Sequence, residues 1–385
     1  MIITKLLEYL PQDSINWDLI EKGLFLPFVS SMKGTPQEFK WHGEGDVWTH
    51  TKMVCEELIK LDEYKLLEEK EKLAVFLAAL FHDIAKPICT KIVDGEIRSF
   101  KHPTKGALIT REYLWKKIGL SGRKEYQELR EGIALLVKYH SEPTYYDFED
   151  DKDKLVIKLS LNKKLTKYFN NQLLTLLAIS DVKGRISDTN DEKLVVIEEF
   201  KEKAISLNCY DQSFKFNNDY TKNKYLSSDN IWHSDTLYDS TWGEVILICG
   251  LPGTGKDTFI KKNFPNHKII SLDDIRERYK IKPTDNQGEV YNIAKEQAKE
   301  YLRAKIPFVW NATNITKMIR DKQITLFEEY NAKVRVIFLE TAYNEMLKRN
   351  NKRSRYVSEK VINEMLEKLE IVEEFEASIV EWISL

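Results

Sequence analysis

Two hydrophobic periods divide the chain. Up to about residue 207, apolar positions recur every three or four residues. This spacing is seen in VWTHTKMVCEELIKL, EKLAVFLAALFHDIAK, GALITREYLWKKI, LREGIALLVKYH and NQLLTLLAISDVKGR. It predicts amphipathic or buried helices, with few β-branched runs to compete. Pro87 and Pro143 fall just after such stretches and are expected to end them. A further amphipathic helix is predicted from about Asp191 to Asn208. From residue 243 the period shortens. EVILIC, HKIISL, PFVWNA and KVRVIFLE are short β-rich runs separated by helical segments such as EVYNIAKEQAKEYLRAK. This alternation predicts a parallel α/β sheet. Between the two halves, residues 208–242 are rich in Asn, Asp, Ser and Tyr without a sustained period, and read as a linker. The expected fold class is therefore multidomain: an all-helical bundle over residues 1–207, then a parallel α/β domain over 243–385.

Bulk properties narrow the class. The 385 residues are more than one core usually holds, which agrees with two domains. With 42% hydrophobic and 31% charged residues the chain is an ordinary globular one, and its net charge of -2 announces no global nucleic-acid surface. No secretory signal or membrane-length apolar run is legible. Cys55, Cys89, Cys209 and Cys249 are widely spaced and read as small buried hydrophobes in a reducing cytoplasm.

The helical half carries five of the seven histidines: His42, His50, His82, His102 and His140. His82 and Asp83 stand at the end of a segment apolar nearly all round, and Asp181 ends another such run. A carboxylate buried beside an imidazole is costly unless something compensates, and a metal ion does so. His50, His82, Asp83 and Asp181 form an N/O set suited to a divalent transition metal, and His102 and His140 are placed to complete a second site. Any one of these histidines alone is more simply a satisfied core residue. Together the pattern H…HD…H…H…D points to metal.

The motifs GDVWTHT, ALFHDIAKP, FKHPTKGA and SDVKGR resemble the HD phosphohydrolase superfamily, and in particular the HD modules found with tRNA nucleotidyltransferases. The resemblance covers about Lys40 to Arg185. It implies one metal on His50, His82, Asp83 and Asp181, a second on His102 and His140 with Asp83 bridging, and metal-assisted attack of water on phosphorus. Lys86 is expected either to contact the phosphate or to be a solvated helix-end lysine. His42 is expected in a supporting or substrate-facing place, or at the surface.

In the second half, ICGLPGTGKDTFI follows a predicted strand and opens a predicted helix. Gly250, Gly253 and Gly255 allow a tight turn whose N–H groups face an anion, and Lys256 supplies charge for the β- and γ-phosphates of a nucleoside triphosphate. Asp257 stands where such loops usually carry the Ser or Thr that holds Mg2+. A carboxylate is itself a hard ligand for that ion, and Thr258 offers a substitute hydroxyl. The added negative charge calls for cations, and LKRNNKRSRY provides Lys348, Arg349, Lys352, Arg353 and Arg355 as a phosphate-clamping lid. Asp273, at the carboxyl end of a predicted strand, is the candidate general base, with Arg276 near enough to hold an acceptor phosphate. Asp274 is expected to cap the following helix. Asn311, Thr313 and Asn314 are expected to line the site, cap the next helix, or both.

These motifs, in order, resemble phage-type 5′-OH polynucleotide kinases. The resemblance implies Lys256 on donor phosphates, Asp273 as base, Arg276 on the acceptor, and Arg349 and Arg353 as lid arginines. Asn311 departs from the Asp common in that family, as Asp257 does from Ser. The order of the two halves resembles the bacterial HD-Pnk end-healing enzymes. That implies RNA or DNA ends bearing a 5′-OH and a 2′,3′-cyclic or 3′-phosphate, ATP or another NTP, one or two transition-metal ions, and an RNA ligase as partner. Two rival readings are an HD nucleotidase fused to a small-molecule kinase, and an HD hydrolase gated by a nucleotide sensor.

Overall fold

The computed structural model describes residues 2–282, 285 and 287–385. The chain forms two compact units, Met1–Leu120 with Glu125–Phe214, and Ser121–Lys124 with Lys215–Leu385.

The first unit is helical. Helix α1 (Val47–Lys60) starts where Asp46 accepts the Thr49 N–H at 2.7 Å. Its buried stripe is Val47, Thr51, Val54, Cys55 and Leu58, the spacing of one helix face. Helix α2 (Glu69–Phe81) opens with a capping box between Glu68 and Glu71, and every residue from Leu73 to Phe81 is buried. Its apolar character all round puts it at the centre of the unit. Helix α3 (His102–Tyr113) and helix α4 (Lys124–Tyr139) follow. Helix α5 (Asn171–Lys183) is capped by Asn170 and buried over most of its length. It lies so close to α1 that a Cβ on Gly184 would come within 2.7 Å of the Val54 nitrogen, so the glycine is a packing requirement. Helix α6 (Asn190–Ser206) packs on α5.

The expectation of an all-helical first half needs one correction. Strands β1 (Thr90–Val93) and β2 (Glu96–Ser99) form an antiparallel hairpin around Asp94 and Gly95, both at positive φ. Gly95 and the short β-branched run support that turn. His82 and Asp83 also lie just past α2 rather than in its last turn: His82 is the C-cap. Pro87 sits at the start of the short helix Lys86–Cys89, where its missing N–H costs nothing.

The second unit holds a five-stranded parallel sheet. Its strands are β3 (Glu244–Cys249), β4 (Lys268–Ser271), β5 (Phe308–Asn311), β6 (Lys333–Glu340) and β7 (Ile379–Ser384), in the spatial order β4-β5-β3-β6-β7. Val245 to Cys249 are all buried, as expected for a central parallel strand covered on both faces. From β3 the chain places β4 and β5 on one side and β6 and β7 on the other, so the strand order reverses at the carboxyl end of β3. That crevice is where open α/β sheets bind ligands. The edge strand β7 was not anticipated: IVEWIS is short and half-exposed, with little periodicity to read.

Within 208–242, residues up to Phe214 pack with the first unit and those from Lys215 with the second. Asp219–Ser227 is helical, and its buried Lys222 donates to Glu374 at 2.9 Å. No helix among the described residues is long and apolar enough to cross a membrane. The four cysteines are free and buried.

Candidate functional site

Six side chains from separate segments of the first unit meet beneath its surface. His50 comes from the second turn of α1, His82 and Asp83 from the end of α2, His102 from the start of α3, His140 from just past α4, and Asp181 from the last turn of α5. All but His102 are at least 98% buried. In each imidazole the Nδ1 edge is already used. It donates to the Ala79 carbonyl from His82 (2.7 Å), to Ser99 from His102 (2.8 Å) and to Val137 from His140 (2.8 Å). His50 Nδ1 donates to the Glu44 carboxylate at 2.9 Å. The Nε2 edges are thereby turned inward as lone pairs.

There they face one another and the carboxylates. The Nε2 atoms of His50 and His82 are 3.2 Å apart. His50 Nε2 is 3.0 Å from Asp181 Oδ1, His82 Nε2 is 3.2 Å from Asp83 Oδ2, and His102 Nε2 is 3.1 Å from Asp83 Oδ1. Lone pairs aimed at one another and at anions repel unless a cation lies among them. Asp83 sharpens the point: both of its oxygens are buried without a hydrogen-bond donor in bonding geometry, though the Lys86 ammonium lies 2.7 Å from Oδ2. Among the described residues three sets of ligand atoms lie close enough to hold a metal: His50–His82–Asp181 and Asp83–His102–His140 within the cluster, and His42–Glu44–His50 beside it. The residues therefore fit one or two divalent transition-metal ions.

The neighbouring charges shift these groups in different directions. Burial, then the neighbouring His82 and His102, pushes His140 down to about 3, so its ring is neutral. Burial disfavours a charged His50, but Asp181 and Glu44 outweigh it and raise its pKa. Burial would raise Asp83 and Asp181; the cations around them win, and both stay well below the usual carboxylate range. Arg185 is the main one for Asp181, pairing with it in a fork that includes Nε to Oδ1 at 3.2 Å. Lys86 is buried and also donates to Gln37 at 2.7 Å, so it is not a solvated helix-end lysine. His42 is half-buried, not at the surface. Its Nδ1 lies 2.8 Å from Glu44 Oε1 and its ring packs edge-on to His50, and burial pushes it down to about 4.

The second unit builds its site mainly from backbone. After β3, Gly250, Gly253 and Gly255 adopt φ of 152°, 83° and 96°. A Cβ on Gly250 would come 2.5 Å from the Leu339 carbonyl, and one on Gly253 2.5 Å from that of Met346. Lys256 opens helix α7 (Lys256–Asn263) and donates to the Gly250 and Leu251 carbonyls at 2.9 and 3.0 Å. Burial and the Arg353 guanidinium push its ammonium down to about 8. Asp257 and Thr258 are exposed in the first turn of the same helix. The Asn311 amide, from the end of β5, donates to Asp257 Oδ1 at 2.8 Å, and its own Oδ1 is buried without a partner.

The basic run closes over this loop. Helix α8 (Tyr343–Asn351) packs against Gly253, and a Cβ on Gly255 would lie 3.4 Å from the Arg349 guanidinium. The segment after α8 is fastened by paired bonds between the Asn350 amide and the Val357 backbone, 2.7 and 3.2 Å. Asp273 sits between Arg276, 2.5 Å away, and Arg353, 3.9 Å away. Arg276 also donates to Gln287 at 2.7 Å.

Residues 245–372 match the family model described as an AAA domain. The C-terminal region is a P-loop kinase-like domain. Such a domain implies use of a nucleotide and Mg2+. The chain is 28% identical to the L-seryl-tRNA(Sec) kinase of Methanococcus maripaludis over 134 residues, 33% of this chain and 52% of that protein. It is 26% identical to the Multifunctional CCA protein of Pasteurella multocida over 165 residues, and 28% identical to that of Psychromonas ingrahamii over 162. Each of these two matches takes in 42% of this chain and 36% of the relative. The chain thus spans between about a third and a half of the curated relatives it matches.

Some expectations for the kinase-like domain need correcting. Ser271, not Asp274, caps the helix Leu272–Tyr279, accepting the Asp274 N–H at 3.2 Å. Asp274 instead pairs with Arg355 at 2.9 Å, and Glu277 binds the same guanidinium. Asn314 is 2% exposed and donates to the Ile248 carbonyl at 2.7 Å, so it ties β3 down rather than facing an acceptor. Thr316 caps the next helix, a role open to Asn311, Thr313 and Asn314 on sequence alone. Sequence reasoning missed Glu44, Gln37, Arg185, Gln287 and Asn350. Glu44 lies just before GDVWTHT, Arg185 ends SDVKGR and Asn350 falls within LKRNNKRSRY, all segments already singled out; nothing local marked Gln37 and Gln287.

Proposed function

We propose that the protein is a bifunctional nucleic-acid end-healing enzyme. The helical unit hydrolyses 2′,3′-cyclic or terminal phosphates, and the kinase-like domain phosphorylates 5′-OH ends from a nucleoside triphosphate. The observation that carries the first activity is the convergence of four inward Nε2 atoms on a carboxylate, Asp83, whose oxygens lack donors. His50, His82, Asp83 and Asp181 would hold one divalent transition metal, and Asp83, His102 and His140 a second. Such an ion, when bound, polarises phosphoryl oxygen and acidifies water. Lys86 and Arg185, at the partly open edge of the cluster, hold the non-reacting phosphate oxygens. Glu44 keeps His50 in the tautomer that presents Nε2.

In the kinase-like domain the loop N–H groups and Lys256 receive the donor phosphates. Asp257 and Thr258 are the oxygen ligands offered to Mg2+. Asp273 accepts the proton of the attacking hydroxyl, Arg276 holds the acceptor's phosphate, and Arg349 and Arg353 gather charge on the transferring group. Asn311 steers Asp257. The similarity to a kinase named for a seryl-tRNA supports an acceptor hydroxyl carried on RNA.

The test uses one RNA bearing a 5′-OH and a 2′,3′-cyclic phosphate. It is incubated with and without ATP and a panel of divalent metals, and both ends are analysed. Metal-dependent loss of the cyclic phosphate and ATP-dependent gain of a 5′-phosphate are expected. Phosphorylation of free nucleosides in preference to the RNA would overturn the kinase assignment. ATP binding without transfer to any hydroxyl would leave the domain a sensor.

A further inference from the structure

The histidine cluster is deep, and its least buried members mark where it opens. Side-chain exposure is 10% for Lys86, 11% for His42, 19% for Arg185 and 20% for His102, against at most 1% for Asp83 and Asp181. Large exposed aromatics flank this opening. Phe39 and Trp41 precede His42, and Tyr145 and Phe148 follow His140 by five and eight residues.

Both pairs are held in place. The segment carrying Phe39 and Trp41 is pinned at each end. Glu38 accepts the Ile97 N–H at 2.9 Å, Ser187 donates to the Lys40 carbonyl at 3.2 Å, and Gly43 donates to the Ile186 carbonyl at 2.9 Å. It therefore runs from the hairpin to the residues just after Arg185, along one edge of the opening. The second pair lies on the turn that follows His140, and Tyr145 is among the groups that act electrostatically on Arg185. Each pair also carries a cation: Lys40 lies 4.6 Å from the Trp41 ring centre, and Lys193 lies 4.9 Å from Tyr145 and 5.6 Å from Phe148.

Phe39 and Phe148 are 79% and 76% accessible, and each stands within three residues of a second exposed ring, Trp41 or Tyr145, so the exposed aromatics come in pairs rather than singly. Flat rings beside cations, next to a centre built for phosphate, match the chemistry of an unpaired nucleotide chain. Its bases stack and its backbone is anionic. We infer that Phe39–Trp41 and Tyr145–Phe148 are two base-stacking platforms that bind the last unpaired nucleotides of a single-stranded nucleic acid and feed its terminal phosphate to the cluster. This deepens, and rests on, the reading of the cluster as a phosphohydrolase of nucleic-acid ends. A duplex end would have its bases covered and would gain little from such platforms.

The test is fluorescence anisotropy with a short labelled single-stranded RNA ending in a 3′-OH, so that binding is read without turnover. Phe39→Ala/Trp41→Ala and Tyr145→Ala/Phe148→Ala should each weaken binding about tenfold, as loss of one stacked base does. Trp41→Phe should retain affinity, and Trp41→Leu should lose most of it. Leu66→Ala, at an exposed apolar site within the same unit but outside the rim, should change nothing. The same RNA annealed into a blunt duplex should bind more weakly. Unchanged affinity in both double variants, equal affinity of the Leu and Phe variants at 41, or preference for the duplex would overturn the platforms. Melting curves identify any variant that merely unfolds, and the Trp41 pair then decides. If wild-type protein binds the RNA through the rim yet removes no end phosphate with any metal, the phosphohydrolase reading fails while the rim stands.

Discussion

On the function proposed above, the two units would hold phosphate in opposite ways. The helical unit commits buried side chains: imidazoles with one edge held by backbone carbonyls or by Glu44, and a carboxylate, Asp83, with the Lys86 ammonium beside it. The kinase-like domain commits backbone, and its charged side chains are paired among themselves. Lys256 rests on loop carbonyls, Arg276 on Asp273, and Arg349 on Glu345 at 2.9 Å. The first site buries imidazole lone pairs beside carboxylates that Lys86 and Arg185 offset only in part, an arrangement that a bound cation would complete. The second keeps its charges satisfied and must exchange partners when nucleotide arrives. The difference follows from where the polar groups sit. Exposed pairs cost little to make or break, while buried groups cannot be re-solvated.

That contrast can be broken most severely at the cluster. His82→Ala with Asp83→Ala should abolish end-phosphate removal and stoichiometric metal binding, while kinase activity persists. Metal content by mass spectrometry and parallel assays of both ends check this. Loss of both activities in a protein that still melts cooperatively would sink the independence of the two sites. Lys256→Ala should do the converse, lowering phosphoryl transfer by about 100- to 1,000-fold, the scale of losing one preorganised charge contact.

Smaller changes sharpen the comparison. Glu44→Gln should weaken metal affinity by about 10- to 100-fold, because it removes the anion that fixes His50. Titration with a colorimetric chelator reads this without any turnover. Asp257→Ser should keep appreciable kinase activity and Asp257→Ala should not, if the residue's oxygen is what the ion needs; equal rates for both would dismiss that role. The smallest effect concerns pH. Lys256 in the free protein is depressed to about 8 by burial and Arg353, and bound phosphates would raise it. Binding therefore favours the protonated form. Affinity for ATP should be full below about pH 8 and fall as pH rises above it, with up to about one proton taken up on binding. Calorimetry near pH 8.5 in two buffers of different ionisation enthalpy measures that proton. No uptake would mean the lysine is already charged in the free loop.

Local pattern determined a good deal by itself. The glycine turn, its lysine and the strand before it lie within 13 consecutive residues, so contiguity carries the geometry. The change of hydrophobic period separated helical from α/β structure. Histidines and aspartates at the ends of wholly apolar helices betrayed themselves, because such polar groups are too costly to bury without purpose. Tertiary structure alone decided how those groups meet. His50 and Asp181 are 131 residues apart, and no local period encodes their 3.0 Å contact. The same holds for Glu44 as the anion behind His50, for Asn311 as the partner of Asp257 across 54 residues, and for Arg355 turned toward Asp274. These are choices among chemically equivalent partners. A short-range sequence signal specifies which groups are available, whereas packing of distant helices and strands specifies which of them come within bonding distance.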